Sequence, residues 1–180
     1  LVCGHCGGPL SLRDVSYRAR PGRPDRDQAR PARLGRLSAL TAATHRGSHA
    51  DLTHIADIVG DPWTPLVLAA AFFGLRRFDD LQRELGIASN ILATRLDLLV
   101  RRRILERRAY QRQPPRHEYR LTDKGRDLFP YALLLNAWGD RWLATPAGPP
   151  YELRHEGCGH EAVPVVRCDR CRATLAPGEV

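Results

Sequence analysis

Five cysteines and one histidine pose the first chemical question. Cys3 and Cys6 stand in the opening stretch LVCGHCGGPL, and Cys168 and Cys171 in VRCDRC near the other end. His155 and Cys158 share the same two-residue gap in RHEGCGH. A CxxC or HxxC pair lets two ligands on one tight turn face a single ion. A closed set of four nitrogen and sulphur ligands takes Zn²⁺ tetrahedrally and holds structure rather than catalysing. His155 and Cys158, then nine residues, then Cys168 and Cys171 have the spacing of a zinc ribbon. We therefore expect a structural Zn²⁺ on His155, Cys158, Cys168 and Cys171. His160 competes as the fourth ligand, and the repeated HxxC spacing favours His155. So short a tail buries too little apolar surface to fold alone, so the metal supplies the folding energy.

That set leaves Cys3 and Cys6 over. Laid on the tail at an offset of 165, Leu1 matches Val166, Cys3 matches Cys168, Cys6 matches Cys171, Leu10 matches Leu175 and Val15 matches Val180. The chain also lacks methionine, even at position 1. The opening segment thus reads as the second knuckle of another ribbon, the end of an upstream copy of the same unit. Cys3 and Cys6 are expected to be unpaired as metal ligands here.

The elements that position these groups follow from composition and pattern. A chain of 180 residues holds one ordinary domain with a small module. Its formal net charge of +8 favours a polyanionic partner, nucleic acid before membrane. The charge is clustered: residues 18–50 carry eight Arg against two Asp, and residues 101–120 carry eight Arg against two Glu. No apolar run approaches the roughly 20 residues of a membrane span, and no secretory signal opens the chain. Metal-spaced cysteines without such a signal indicate a reducing compartment, the cytoplasm. No nucleophile–base set, phosphate-binding glycine loop or open metal site is present, so an enzyme is not expected.

Residues 1–17 are the partial knuckle segment, and 18–47 read as a basic linker rich in Arg and Pro. Residues 48–145 form the main domain, and 151–180 the ribbon-like tail. Within the domain, Ser48 or Asp51 caps a first helix ended by Gly60. Thr64 and Pro65 start a second helix, apolar almost all round and so central. Arg76–Phe78 reads as a short strand, 79–85 as a third helix closed by Gly86, and 90–103 as a fourth capped by Ser89. ILERRAY and HEYRL alternate apolar and polar around QRQPPR, the signature of a two-stranded hairpin. Thr122 caps a long last helix over 123–143, which Pro130 bends or breaks.

This order is mainly α with a two-stranded wing (α+β), a winged helix-turn-helix plus a zinc-ribbon-like module. Residues 79–103 supply the helix-turn-helix, whose second helix lies in the major groove of DNA. On it Leu92, Leu96 and Leu99 face the core. Ser89, Asn90, Ala93 and Thr94 face outward near the N-terminal end, where base edges are reachable; Asn pairs with adenine and the Ala or Thr methyl meets thymine. Arg95, at the flank, either contacts DNA or pairs with an acid of the preceding helix. Arg107, Arg112 and Arg116 of the hairpin are expected on phosphates or in the minor groove. Trp138 and Trp142, four residues apart, pack either at a dimer interface or within one subunit's core.

The segments RRFDDLQREL, IASNILATRL, PPRHEYRLTDKG and WGDRW, within a gapless match over about 50–145, resemble the HxlR-type transcriptional regulators, relatives of the MarR group. A tail like HEGCGHEAVPVVRCDRC resembles the C-terminal extension of actinobacterial-type members. The resemblance implies double-stranded DNA as partner and a homodimer paired through the first and last helices of the 48–145 domain, without catalysis or membrane. In two places the chain departs from the pattern. Pro62 precedes Trp63 where a basic residue is frequent, and Ala50 stands where many members carry a cysteine, sometimes used for redox or electrophile sensing. The function expected is therefore a sequence-specific regulator acting as a dimer on operator DNA. A zinc- or thiol-responsive sensor, or a nonspecific architectural or protein-interaction module, are the alternatives.

Overall fold

Asp61 fixes the first described helix. Its carboxylate accepts the backbone N–H of Trp63 at 2.8 Å and of Thr64 at 3.0 Å, and the Thr64 hydroxyl as well. Two backbone donors that a helix start leaves orphaned are thereby satisfied. The computed structural model describes residues 1–19, 58, 60–143, 146, 148, 149 and 151–175. The basic linker and nearly all of the expected first helix, including Ala50, lie outside them. The described residues fall into two units, one within Asp25–Gly125 and one made of Leu1–Pro24 with Arg126–Val180.

In the first unit, α1 (Thr64–Phe72) has Pro65 in its first turn and buries Thr64, Val67, Leu68, Ala70 and Ala71. It packs on α2 (Phe78–Leu85), on α3 (Ser89–Arg101) and on the second wing strand. Asp79 and Asp80 sit in the first turn of α2, where the helix dipole favours acids. Gly86 ends α2 in the left-handed region, at φ 60, which a glycine adopts without strain. The backbone of Ala88 is extended, and it is Ala88, not Ser89, that stands at the N-cap of α3. Ser89 is the first helical residue, and its hydroxyl accepts a 2.6 Å bond from Gln82 Nε2.

Leu92, Leu96 and Leu99 are at most 1% exposed, so α3 is anchored by its i, i+4, i+7 face. Truncating one such side chain costs about 2–5 kcal/mol. The helix closes at Arg103, which takes φ 56, while the N–H of Ile104 reaches back to Leu99 O at 2.9 Å.

The wing is β3 (Leu105–Gln111) paired antiparallel with β4 (Arg116–Leu121), from Leu105 opposite Leu121 to Gln111 opposite Arg116. A bulge between Ala109 and Gln111 turns the tip. The strand expected at Arg76–Phe78 is reduced to one bridge, Arg77 opposite Glu118, and the Tyr119 N–H bonds to Arg76 O. The LTDKG segment then locks the base of the wing. Thr122 accepts the Gly125 N–H at 3.1 Å and donates to Arg103 O, and Lys124 Nζ reaches Arg102 O. A Cβ at Gly125 would overlap the Ile104 carbonyl oxygen, which explains a glycine in the middle of α4 (Asp123–Arg126).

In the second unit, α5 (Phe129–Trp142) carries Pro130 in its first turn. Of the two outcomes expected for Pro130 in the helix over 123–143, a bend or a break, the structure has the break, because proline fits a first turn but not a helix interior. β1 (Val2–Cys3) pairs with β6 (Pro164–Val165), and β2 (Val15–Ala19) with β5 (Tyr151–His155), both antiparallel. The opening segment is thus woven into the tail. The β2–β5 register runs over five residue pairs, from Val15 opposite His155 to Ala19 opposite Tyr151.

Candidate nucleic-acid interface and metal centre

The helix-turn-helix presents one face. With the leucine face of α3 buried, Ser89, Asn90, Ala93 and Thr94 are exposed on its N-terminal half. The Thr94 hydroxyl donates to Asn90 O at 2.8 Å, one turn back. That bond engages the hydroxyl within the helix and leaves the methyl for apolar contact. Asp97 forms an ion pair with Arg101, so its charge is neutralised on the helix itself. Arg95 takes the structural alternative in a modified form. Its Nε lies 3.2 Å from Asp61 Oδ1, without the alignment of a hydrogen bond, and the side chain is 30% exposed. The acid belongs to the turn before α1 rather than to the preceding helix.

The wing sorts its cations. Arg108 is paired with Glu106 at 2.7 Å and Arg120 with Glu118 at 2.6 Å. Arg107, Arg112 and Arg116 are exposed, and no ion pair holds them among the described residues. These are the three wing arginines singled out from the sequence. Arg77 stacks over the Tyr110 ring at 4.9 Å and so braces β3.

In the other unit, Trp138 and Trp142 are 53% and 63% exposed, so neither is core. Tyr131, Leu134 and Leu135 are exposed on the same helix. Positions 131, 134, 135, 138 and 142 recur at helical spacing and form one apolar face.

The group of side chains that could hold a metal differs from the expected set. Cys3, Cys6, His155 and Cys158 bring their ligand atoms within 4.8 Å of one another. Cys168 and Cys171 are not part of this group, and Cys3 and Cys6 are not the unpaired ones. The cause is long-range strand pairing: β1 on β6 and β2 on β5 carry the first knuckle to the His155 turn. Cys3 Sγ lies 4.0 Å from Cys158 Sγ, His155 Nδ1 lies 3.3 Å from Cys158 Sγ, and Cys6 Sγ lies 3.4 Å from His155 Nδ1. Tetrahedral Zn²⁺ at ordinary bond lengths sets sulphur–sulphur edges of about 3.8 Å and sulphur–nitrogen edges of about 3.6 Å. The donor set and its spacing therefore fit a soft divalent ion.

Glycine makes room for the imidazole. A Cβ on Gly157 would stand 2.9 Å from His155 Cε1, and one on Gly8 would stand 3.2 Å from it. His160 lies outside the group. Its Nδ1 is 2.8 Å from Cys158 O, and its ring stacks on His5 at 3.6 Å. Burial pushes the Cys3 thiol up, but the N–H groups of Cys6 and His5 and the neighbouring thiols outweigh it, bringing it down to about 7. The N–H groups of Cys171 and Arg170, with the Cys171 thiol, lower Cys168 in the same way. For Cys158 the His160 N–H pulls downward, and burial with the Cys6 and Cys3 thiols prevails and raises it.

A helix-turn-helix whose second helix is anchored by one face and open on the other, followed by a basic two-stranded hairpin, defines a winged-helix DNA-binding protein. The HxlR-like helix-turn-helix family model matches residues 58–146, which takes in α5. HTH-type transcriptional regulator Rv3095 of Mycobacterium tuberculosis is 45% identical over 128 residues, 71% of this chain and 81% of that protein. HTH-type transcriptional regulator sll1512 of Synechocystis is 35% identical over 98 residues, 54% of this chain and 73% of that one. The crystal structure of PA1607, described as a candidate transcription factor, matches with a TM-score of 0.65 and 34% identity, covering 76% of this chain and 95% of that one. The chain belongs to the HxlR-like helix-turn-helix family and is a DNA-binding transcriptional regulator. Among the described residues, no helix is long and apolar enough to cross a membrane.

Proposed function

We propose that the chain regulates transcription in the cytoplasm as a homodimer bound to double-stranded operator DNA, without catalysis. The exposed N-terminal half of α3 carries this reading. Ser89, Asn90, Ala93 and Thr94 occupy it, while the opposite face is fixed by Leu92, Leu96 and Leu99. A rigid back and a polar, small-residue front suit base-edge readout in the major groove. Arg107, Arg112 and Arg116 then hold phosphates. We assign Arg95 to bracing α3 through Asp61 rather than to DNA. The apolar face of α5 supports the dimer, which buries Trp138 and Trp142. Cys3, Cys6, His155 and Cys158 hold one structural Zn²⁺ that ties the chain's first strands to its tail.

The experiment is selection of binding sites from random duplexes, followed by affinities for the selected and a scrambled site at one salt concentration. Specific binding about 10³-fold or more tighter is expected. A ratio near one would show a nonspecific architectural module instead. A second reading, a zinc- or thiol-responsive regulator, is favoured by the low thiol pKa of Cys3 and the exposed Cys6. It requires operator affinity to change on chelation or mild oxidation while the winged-helix domain stays folded.

A further inference from the structure

Residues 166–175 repeat the conformation of residues 1–10. In the first knuckle the N–H of Leu10 bonds to Leu1 O, that of Cys3 to Gly8 O and that of Gly7 to Cys3 O, at 3.2, 2.8 and 2.8 Å. In the second, Leu175 bonds to Val166 O, Cys168 to Ala173 O and Arg172 to Cys168 O, at 2.9, 2.9 and 3.0 Å. Each bond recurs 165 residues on, the offset of Cys168 from Cys3. The bridge of Val2 with Pro9 recurs as Arg167 with Thr174. The left-handed residue recurs too, Gly7 at φ 72 and Arg172 at φ 63. An arginine adopts this conformation only against its side-chain preference, so the shared turn is not a consequence of glycine alone.

What differs is the cover. Cys3 is 0% and Leu10 3% exposed, whereas Leu175 is 39% and Val166 36% exposed, and Cys168 is only half-buried. Among the described residues, the second knuckle has the shape of the first without its cover. The described residues hold two CxxC knuckles and one HxxC half, at His155 and Cys158, to complete them.

We propose that this half accepts either knuckle, so that Cys168 and Cys171 replace Cys3 and Cys6 as ligands of the same Zn²⁺. The inference rests on the metal-site reading above. The exchange is balanced: two zinc–sulphur bonds break and two form. The thiols of Cys168 and Cys171 release two protons, the thiolates of Cys3 and Cys6 take up two, and no electron moves. It requires opening the short β1–β6 pairing and the bond from the Gly4 N–H to Val163 O. The five-residue β2–β5 pairing stays, tethering the displaced knuckle. The nine residues from 159 to 167 then close a hairpin of ribbon length.

The test uses the full chain, purified anaerobically with zinc. Wild type is expected to hold one ion per chain. Cys3→Ser/Cys6→Ser and Cys168→Ser/Cys171→Ser should each keep at least about half of it, and His155→Ala/Cys158→Ser less than about a tenth. X-ray absorption at the zinc edge should show three sulphurs and one nitrogen in both knuckle variants. Wild-type alkylation guards against misfolded variants: Cys168 and Cys171 should be partly protected by zinc and fully labelled after chelation. Metal-free wild type would refute the site itself. Metal in wild type but not in Cys3→Ser/Cys6→Ser, with Cys168 and Cys171 labelling as free thiols, refutes the exchange alone. More than one ion per chain also overturns it, since the second knuckle would then hold its own.

Discussion

Removing Arg112 and Arg116 together should flatten the salt dependence of DNA binding, by an amount that follows from the pairing on the wing. Arg107, Arg112 and Arg116 are exposed without ion pairs among the described residues, whereas Arg108 and Arg120 are engaged by Glu106 and Glu118. The proposed dimer would offer six unneutralised wing cations, and each phosphate neutralised contributes a slope of about −0.9. The wings together give a log–log slope of about −5.4, or about a 10³-fold loss of affinity between 50 and 200 mM salt. Arg112→Ala/Arg116→Ala removes four of the six, leaving about −1.8 from the wings and about a tenfold loss over that range. Arg108→Ala/Arg120→Ala should shift the slope by less than about 1, because those charges are already compensated. Fluorescence anisotropy on a labelled operator at five salt concentrations measures both. The change should be equal on a scrambled duplex, since phosphate contacts carry no sequence information. A slope in Arg112→Ala/Arg116→Ala within about 0.5 of wild type, or an equal loss in Arg108→Ala/Arg120→Ala, would refute the assignment of the wing.

Gly125→Ala should destabilise the protein by about 1–3 kcal/mol in urea unfolding, because the new Cβ overlaps the Ile104 carbonyl; helix propensity alone predicts the opposite sign. Arg103→Gly should stabilise it by roughly 0.5–1 kcal/mol, since φ 56 costs a side-chain residue more than glycine loses on folding. Trp138→Ala/Trp142→Ala should shift sedimentation toward monomer at micromolar concentration, while leaving the amide-exchange protection of α3 intact. Chelation should expose residues 151–162 to amide exchange and leave α1 to α3 protected; equal loss in both units would mean that the metal supports the whole chain.

The winged helix was legible because its signals are local. The leucine spacing of α3, the alternation of ILERRAY and HEYRL, and Gly86 between two helices each fix an element within a dozen residues. The errors are shifts of the same local kind. Ser89 has the chemistry of a cap, but its hydroxyl bonds to Gln82 and the chain turns at Ala88. Thr64 and Pro65 mark the start of α1 correctly, and the carboxylate that takes up its first N–H groups is that of Asp61, three residues before Thr64. Arg95 was less legible. Its acid lies 34 residues before it, on no shared helix face, so only the packing of α3 against the start of α1 brings them together.

The cluster that the structure brings together differs from the one ribbon spacing predicts, for a physical reason. The two knuckles have the same ligands, spacing and turn, so ligand chemistry cannot choose between them. Ribbon spacing favoured Cys168 and Cys171 because closing nine residues costs less chain entropy than closing about 150. The difference is small, because closure entropy grows only as the logarithm of length: at (3/2)RT per unit of ln n, it is about 2–3 kcal/mol. Strand pairing offsets it. VSYRA and YELRH both alternate, and their register sets Val15 against His155, Tyr17 against Leu153 and Ala19 against Tyr151, with the Tyr17 and Tyr151 rings edge to face at 6.2 Å. Aromatic and β-branched cross-strand pairs contribute roughly 0.2–1 kcal/mol each, so a few of them equal the closure difference. Two knuckles of one shape, separated by so narrow a margin, are the condition under which a single His155–Cys158 half exchanges one for the other.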